Sequence, residues 1–414
     1  MLPEFKKIIL DNGFEIYHIP CNEGSGVIST DIFYKVGSRN EYMGKSGIAH
    51  MLEHMNFKST KNRKAGVFDK TVKGFGGIDN ASTGFDYTHY FIKCANSNLD
   101  ISCELFADIM QNLNLKDEEF KPERNVVLEE RLWRTDNNPA GFLFFRLYNS
   151  AFIYHPYHWT PIGFKKDIEN WTIEDINDFH AKFYQPQNAF LVIAGDIDEK
   201  SAFKSAKKHF EKIKNSSDIP VNFCKEPTQN GERNIIIHKN SEVEMIALAY
   251  KIPPFNHADQ NALSAVENIL GSGKSSVIRR ILVDEKKLAN DVEIYNMSSI
   301  DENLFIIFAV ANFGIKAEIL KSEILEILEN LKQKEIEDEA LEKVRNALNS
   351  QFVYSLDSAG KIADIYGNFI AMGDISVLFE LPQKIQNLTK MDIKNCFLKY
   401  FDKNRLTSVI LRKE

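Results

Sequence analysis

The 414-residue sequence predicts an α+β fold of two homologous α/β-sandwich domains, each an antiparallel-rich sheet with helices on one face. Two observations lead to this prediction. The first is an internal repeat, because residues 168–195 align with residues 385–412 at an offset of 217, with eight of 28 positions identical. The second is the alternation of strand and amphipathic helix patterns in both halves. A repeat period this long is typical of duplicated domains rather than of a solenoid.

Strand patterns recur at matching places in the two halves. The first half contains GVISTDIFYKV (26–36) and NAFLVIAG (188–195), and the second contains VEMIALAYKI (243–252) and LFIIFAVANF (304–313). Their β-branched and aromatic residues favour extended chain. The charged stretch DEALEKVRNALNSQFV (338–353) instead has the spacing of an amphipathic helix.

A polar stretch separates the two copies. It is NSSDIPVNFCKEPTQNGERN (215–234), which has the polar, proline and glycine residues typical of loops. The sequence therefore predicts an N-terminal domain over residues 1–214, a linker over 215–234 and a C-terminal domain over 235–414.

The pentad HMLEH (50–54) places two histidines and a carboxylate on one face of a predicted helix. At about 100° per residue, His54 lies about 40° from His50, and Glu53 lies about 60° to the other side. Two imidazoles one turn apart can share a zinc ion, and a carboxylate beside them can take a proton as a zinc-bound water attacks a carbonyl. The alternative is a core helix whose polar residues form its wet margin.

A second helix is predicted over KDEEFKPERNVVLEERLW (116–133), where Pro122 suits the first turn. Glu123 and Glu130 are seven positions apart, which is about 20° from coincidence on a helix. We expect Glu130 to be the third metal ligand and Glu123 to support the site by holding either a histidine N–H or the network beside the zinc. Glu129 points about 100° away from Glu130, so it is the less suitable ligand. The alternative is an acidic helix face in contact with solvent.

The repeat provides a comparison for this site within the same chain. At an offset of 216, the three polar positions of the pentad fall on Val266, Ile269 and Leu270, and the position of Glu130 falls on Asn346. The second copy thus has the helix without the chemistry. A helix at this place does not need histidines, which favours a functional role for those of the first copy.

The chain resembles the pitrilysin/insulinase family of zinc peptidases, in its short processing-peptidase-like branch. Four stretches carry the resemblance: VGSRNEYMGKSGIAHMLEHMNFKST (36–60), GGIDNASTGFDYTHYFI (76–92), ERNVVLEE (123–130) and HPYHWTPIG (155–163). The resemblance implies a fold made by duplication and a zinc-dependent endopeptidase activity.

The resemblance also implies a role for each residue of the site. It identifies His50, His54 and Glu130 as the ligands of one zinc ion per chain. It identifies Glu53 as the general base and Glu123 as an accessory glutamate. All of these residue types are present at the expected spacing.

The stretch NASTGFDYTHYFI (80–92) is predicted to be a strand polar enough to stand at a sheet edge. An exposed edge can accept an extended peptide as one more strand. The resemblance places the family's peptide-binding edge at Asn80 and Ala81. We therefore expect extended peptides or unfolded, presequence-like segments as substrates. The alternative is an ordinary interior strand.

Composition and charge exclude several other classes. The residues are 43% hydrophobic and 11% aromatic, which supports sizeable cores, and the net charge of −7 comes without the basic stripe of a nucleic-acid-binding protein. No window approaches the roughly 18 apolar residues of a membrane span, and the N-terminal stretch has no apolar run of signal-peptide type. We therefore expect a cytoplasmic protein. The five cysteines are scattered, which favours reduced thiols.

One pair of residues is missing from the pattern. Relatives that act alone resemble one another by an arginine and a tyrosine seven apart in the second half, thought to hold the substrate carbonyl as negative charge develops. The matching stretch here is LVDEKKLAN (282–290), with Val283 and Asn290 at those positions. We therefore expect a heterodimer in which a homologous subunit supplies the pair. Two alternatives remain: a homodimer in which Arg280 substitutes for the arginine, and a non-catalytic structural subunit of the same fold.

Overall fold

The computed structural model describes residues 2–221, 224–273 and 276–414. The strands in these ranges are β1 (Lys6–Ile9), β2 (Glu15–Pro20), β3 (Val27–Tyr34), β4 (Ile78–Thr83), β5 (Thr88–Ala95), β6 (Ala189–Gly195), β7 (Arg233–Lys239), β8 (Met245–Ile252), β9 (Ala289–Asn296), β10 (Asn303–Ala311) and β11 (Leu406–Lys413). Within the described ranges they form two sheets, ordered β1-β2-β6-β3-β5-β4 and β7-β11-β8-β10-β9.

Helices surround these sheets. They are α1 (Ile48–Asn56), α2 (Val67–Gly74), α3 (Leu99–Asn112), α4 (Asp117–Arg131), α5 (Pro139–Ala151), α6 (Lys165–Asn170), α7 (Ile173–Phe183), α8 (Glu199–Phe210), α9 (Gln260–Gly271), α10 (Val277–Arg279), α11 (Ala317–Gln333), α12 (Asp338–Tyr354), α13 (Ala359–Met372), α14 (Ser376–Asn387) and α15 (Lys390–Tyr400). α4 continues into a π-helical turn, Leu132–Asp136.

The chain divides by spatial contact into two compact units. Unit 1 comprises Met1–Glu129, Trp159–Phe223 and Val353–Leu378, and unit 2 comprises Glu130–His158, Cys224–Phe352 and Phe379–Glu414. Each unit therefore takes in one segment from the other half of the sequence. The linear division into 1–214, 215–234 and 235–414 stays a prediction about the sequence repeat. Two residues of that linker, 222 and 223, lie outside the described residues.

The sequence repeat is present as repeated structure. α7 and α15 each begin with a capping box, at Thr172 and Thr389, which are 217 positions apart. The threonine hydroxyl accepts from the third helical N–H, and the carboxylate of that third residue accepts from the threonine backbone N–H. These reciprocal bonds fix the start of each helix. β6 and β11 follow at the same offset. The predicted α+β fold of two repeated halves is confirmed.

One face of the first sheet packs against helices of its own half. Ile28, Ile32 and Tyr34 of β3 are completely buried and share a hydrophobic cluster with Met51 and Leu52 of α1. Alternate residues of a strand point to opposite faces, so these three side chains point to the helix layer. The hydrophobic cluster thus fixes how α1 lies on the sheet.

The other face of the first sheet is covered as well, by a helix from the second half. α13 packs on β3 and β6, and Phe33 of β3 lies directly beneath Gly367. In unit 2, α5 of the first half packs on β8 and β11. The predicted single layer of helices is therefore incomplete for the first sheet, because the helix that covers its other face comes from more than 300 positions further along the chain.

No single helix among the described residues is both long and apolar enough to cross a membrane. One pair of helices, Ala359–Met372 and Ser376–Asn387, meets the length and composition criteria when the two are joined, across a bend of 106°.

Substitution of Gly367 by alanine is expected to destabilise the protein. A Cβ atom there would lie 2.1 Å from Cζ of Phe33, which is completely buried. Overpacking of this kind costs about 1–3 kcal/mol in the free energy of unfolding, more than the roughly 1 kcal/mol that alanine gains over glycine in a helix. Urea denaturation measures the change.

Gly74→Ala is the matched control, because nothing lies within 4 Å of a Cβ at that position. It should leave the unfolding midpoint unchanged or raise it slightly. Equal midpoints for Gly367→Ala and wild type would contradict the close docking of α13 on β3.

Candidate metal centre

A buried carboxylate holds the start of α1. Glu41 accepts hydrogen bonds from the backbone N–H groups of Gly47 (2.7 Å) and Ala49 (2.8 Å) and from the indole N–H of Trp159 (2.8 Å). Burial raises the pKa of Glu41 to about 8, against the lowering effect of these three donors. The first N–H groups of a helix have no partner within the helix, so Glu41 satisfies two of them and fixes the position of α1.

The two faces of α1 differ in burial. Met51, Leu52 and Met55 are completely buried in the core, whereas His50 and His54 are half-buried. The core-helix interpretation is therefore correct for one face only. The other face carries polar side chains held at the margin of the core.

The structure brings together three of the predicted site residues. One donor atom each from His50, His54 and Glu130 lies within 4.8 Å of the others. The two imidazole rings meet edge to face, with centroids 4.7 Å apart. Glu130 is in the last turn of α4, whereas Glu129 is exposed. Nε of Arg134 donates to Oε1 of Glu130 at 2.8 Å, so this carboxylate has a cationic partner as well.

Glu123 joins α4 to α1. Its Oε1 lies 2.8 Å from Nδ1 of His54, and its Oε2 lies 2.6 Å from Nζ of Lys58. Burial raises the pKa of Glu123, but the hydrogen bonds with His54 and Lys58 outweigh burial and leave the pKa below its usual value. Because Nδ1 of His54 is occupied, Nε2 is the ring nitrogen that can bind a metal. Lys58 was not identified from the sequence.

Glu53 contacts the first sheet. The hydroxyl of Thr83, the last residue of β4, donates to Oε2 of Glu53 at 2.6 Å. One carboxylate oxygen is therefore tied to the sheet. Thr83 lies within the quoted stretch 80–92, but no residue pattern indicated that its side chain meets α1, because that depends on how the hairpin pairs.

Asn80 and Ala81 lie at the edge of the first sheet. Within the described ranges, β4 pairs with β5 and with no other strand. The stretch 80–92, predicted as one strand, is a hairpin. β4 forms the edge, and the interior-strand alternative applies to β5, which lies between β3 and β4. The N–H of Ala81 donates to Oδ1 of Asn80 at 2.9 Å, so it points away from β5.

In the second copy, the helix that corresponds to α1 has core residues at the positions of the pentad. Val266 and Leu270 of α9 are completely buried and belong to the hydrophobic cluster of unit 2, and Ile269 packs against that cluster. Asn346, which the offset of 216 aligns with Glu130, lies in the middle of α12. Comparison of α1 with α9 therefore separates what the fold needs from what the polar residues add.

Two family models match the chain. The model described as Insulinase (Peptidase family M16) matches residues 23–159, and the one described as Peptidase M16 inactive domain matches residues 170–348. The chain belongs to the insulinase family of peptidases, family M16.

Individual relatives agree with this assignment. Zinc protease PqqE of Helicobacter pylori is 48% identical over 414 residues, which cover 99% of this chain and 93% of that protein. The crystal structure of a protease from Helicobacter pylori has a TM-score of 0.98 at 48% identity and covers 100% of both chains. The probable mitochondrial-processing peptidase subunit beta of Arabidopsis thaliana is 26% identical, in an alignment that covers 99% of this chain and 78% of that protein. The predicted family, with processing-peptidase-like relatives, is confirmed.

Proposed function

We propose that the protein is a zinc metalloendopeptidase that hydrolyses extended peptides or unfolded, presequence-like segments. The observation that carries the proposal is the cluster of donor atoms from His50, His54 and Glu130, with Glu53 in the same helix as the two histidines. Its similarity to a relative named as a zinc protease, 48% identical over nearly the whole chain, supports the proposal.

The donor set fits zinc. Zinc takes neutral imidazole nitrogens at about 2.0–2.1 Å and carboxylate oxygens at about 2.0–2.2 Å, and a site with three protein ligands keeps a fourth position open for water. Donors within 4.8 Å of one another need only small side-chain movements to reach one ion. The chain is therefore proposed to bind one zinc ion, through His50, His54 and Glu130.

The chain's own residues divide the remaining work. A zinc ion bound by His50, His54 and Glu130 would supply a Lewis acid that polarises the peptide carbonyl and acidifies a water molecule. Glu53 would accept a proton from the attacking water and pass it to the leaving amine, which is general acid–base catalysis by one carboxylate. Glu123 keeps the ring of His54 in one orientation through the 2.8 Å contact.

The substrate is proposed to bind as a strand along β4. An open edge offers backbone N–H and C=O groups, which give affinity without demanding a particular sequence. Oδ1 of Asn80 occupies the N–H of Ala81, so a peptide carbonyl would take the place of that side chain. Only an extended chain can pair in this way, and folded proteins are therefore expected to be poor substrates.

A homologous partner subunit is part of the proposal. Val283 and Asn290 offer no cationic or phenolic donor for an oxyanion, and loss of one such donor typically lowers the rate about 10²- to 10³-fold. Arg280 forms an ion pair with Glu285. That pair is about half exposed, and exposed pairs contribute at most about 1 kcal/mol, so Arg280 stays available to a homodimeric alternative. The Arabidopsis thaliana relative is itself named as a subunit.

A non-catalytic subunit of the same fold is the second candidate. Its support is that residues 170–348 match the model described as the inactive domain. The polar residues of α1 count against it, because the corresponding positions of α9 are apolar. Metal binding and hydrolysis distinguish the two candidates.

Purified protein is expected to hold one zinc ion per chain. Glu130→Gln removes an anionic ligand and should weaken zinc binding at least tenfold, since zinc prefers the charged oxygen. The measurement is competition with a chromophoric chelator, with metal analysis for stoichiometry. Glu129→Gln is the matched control and should bind zinc like wild type. A larger loss with Glu129→Gln, or a wild-type protein that takes up no zinc, would overturn the ligand assignment.

Glu53→Gln is expected to abolish hydrolysis while it retains zinc. The amide is nearly isosteric with the carboxylate but cannot accept the proton, and loss of a general base lowers kcat roughly 10²- to 10⁴-fold. Cleavage of a quenched peptide library measures the effect, alongside zinc content and the unfolding midpoint. Near-wild-type kcat in this variant would exclude Glu53 as the base.

The isolated chain is expected to be a weak peptidase. Adding a homologous chain of the same family that carries the arginine and tyrosine pair should raise peptide cleavage at least tenfold, because two missing oxyanion donors are restored. Full activity of the isolated chain, lost on Arg280→Ala, would instead favour the homodimer.

A further inference from the structure

Thr83 connects the proposed general base to the edge strand of the first sheet. Its hydroxyl donates to Oε2 of Glu53 at 2.6 Å, and Thr83 is the last residue of that edge strand, β4. A hydroxyl bonded to a carboxylate forms a charge-assisted hydrogen bond, which is about twice as strong as a neutral one. The base is therefore held by the strand that is proposed to receive the peptide.

The direction of the backbone groups strengthens this link. In an antiparallel pair, the N–H and C=O of one residue point to the same side, and alternate residues point to opposite sides. The N–H of Ala81 points away from β5, so the backbone groups of Thr83, two residues on, also point to the open edge. Ala81 packs against the core and Thr83 meets Glu53, whereas Asn80 and Ser82 are exposed.

We infer that Thr83 is a positioning residue, which couples peptide binding on β4 to the alignment of Glu53. A peptide that pairs with β4 forms hydrogen bonds with the backbone of Thr83. The side chain of the same residue holds Glu53, the proposed base. A bound peptide restrains Thr83 and, through the hydroxyl of Thr83, the Oε2 oxygen of Glu53. This inference rests on the proposed function, because it assigns Glu53 as the base.

The coupling has a kinetic consequence. Binding energy from parts of a substrate remote from the scissile bond raises kcat only when it is used to improve the transition state. Peptides that extend along β4 should therefore be turned over faster, in addition to binding more tightly. If Thr83 were merely structural, chain length would change KM and leave kcat alone.

The test compares three variants over a series of peptides of increasing length. Thr83→Val is isosteric and lacks the hydroxyl, Thr83→Ser keeps the hydroxyl, and Thr71→Val repeats the first substitution in α2, where the hydroxyl donates to the backbone carbonyl of Val67. Wild type, Thr83→Ser and Thr71→Val should show kcat rising with length. Thr83→Val should lose at least tenfold in kcat on the longest peptide, with KM within twofold and zinc content unchanged.

A second readout does not depend on turnover. Backbone hydrogen exchange is measured on zinc-free protein with and without an extended peptide whose scissile amide is reduced. In wild type, the peptide should slow exchange in residues 78–83 and also in residues 48–56, which carry Glu53. In Thr83→Val, the slowing should remain in 78–83 and disappear from 48–56.

The outcomes separate this inference from the proposed function. A wild-type protein that cleaves peptides, with Thr83→Val equal to it in kcat and in exchange, overturns the role of Thr83 and leaves the peptidase standing. A wild-type protein that binds zinc but cleaves nothing, alone or with a partner chain, overturns the proposed function, and the assignment of Glu53 and Thr83 falls with it.

Discussion

The contact between His54 and Glu123 connects the two helices on which the site depends. It spans 2.8 Å between α1 and α4, and Lys58 holds the second oxygen of the same carboxylate. Phe120 and Val127 of α4 also lie in the hydrophobic cluster that contains the buried face of α1, so packing and this bond together bring the two helices into contact. The bond occupies Nδ1 of His54, which makes Nε2 the ring nitrogen that can bind a metal. One ion-paired carboxylate therefore joins the two helices and orients the histidine.

The fold allows this arrangement because α1 is anchored independently of its polar face. Glu41 fixes the first turn, and Met51 and Leu52 fix the buried face. The second copy shows that the polar residues of the site are not needed for the fold, since α9 has apolar residues at the corresponding positions. The packing of α1 therefore does not depend on its polar residues. For this reason, half-buried histidines can lie beside a carboxylate without loss of the fold.

Helices and strands that depend on local residue patterns were predicted correctly from the sequence. The pentad lies in α1, the helix over 116–133 corresponds to α4, and the strand patterns correspond to β3, β6, β8 and β10. Contacts between residues that are distant in the sequence could not be predicted. The crossing of α5 and α13 between halves and the bond from Thr83 to Glu53 depend on sheet pairing, which no periodicity encodes. Burial along α4 was not evident from the sequence either, since Val127 is buried while the adjacent Val126 is 49% exposed.

We propose that α1 and α4 together hold one zinc ion through two imidazoles and a carboxylate. X-ray absorption at the zinc edge of the stoichiometric zinc protein tests this proposal most directly. The spectrum is expected to contain two nitrogen scatterers of imidazole type and one or two oxygens at about 2.0–2.2 Å, with the imidazole signal reduced by half in His50→Ala. Sulfur at about 2.3 Å, or a spectrum unchanged by His50→Ala, would contradict it.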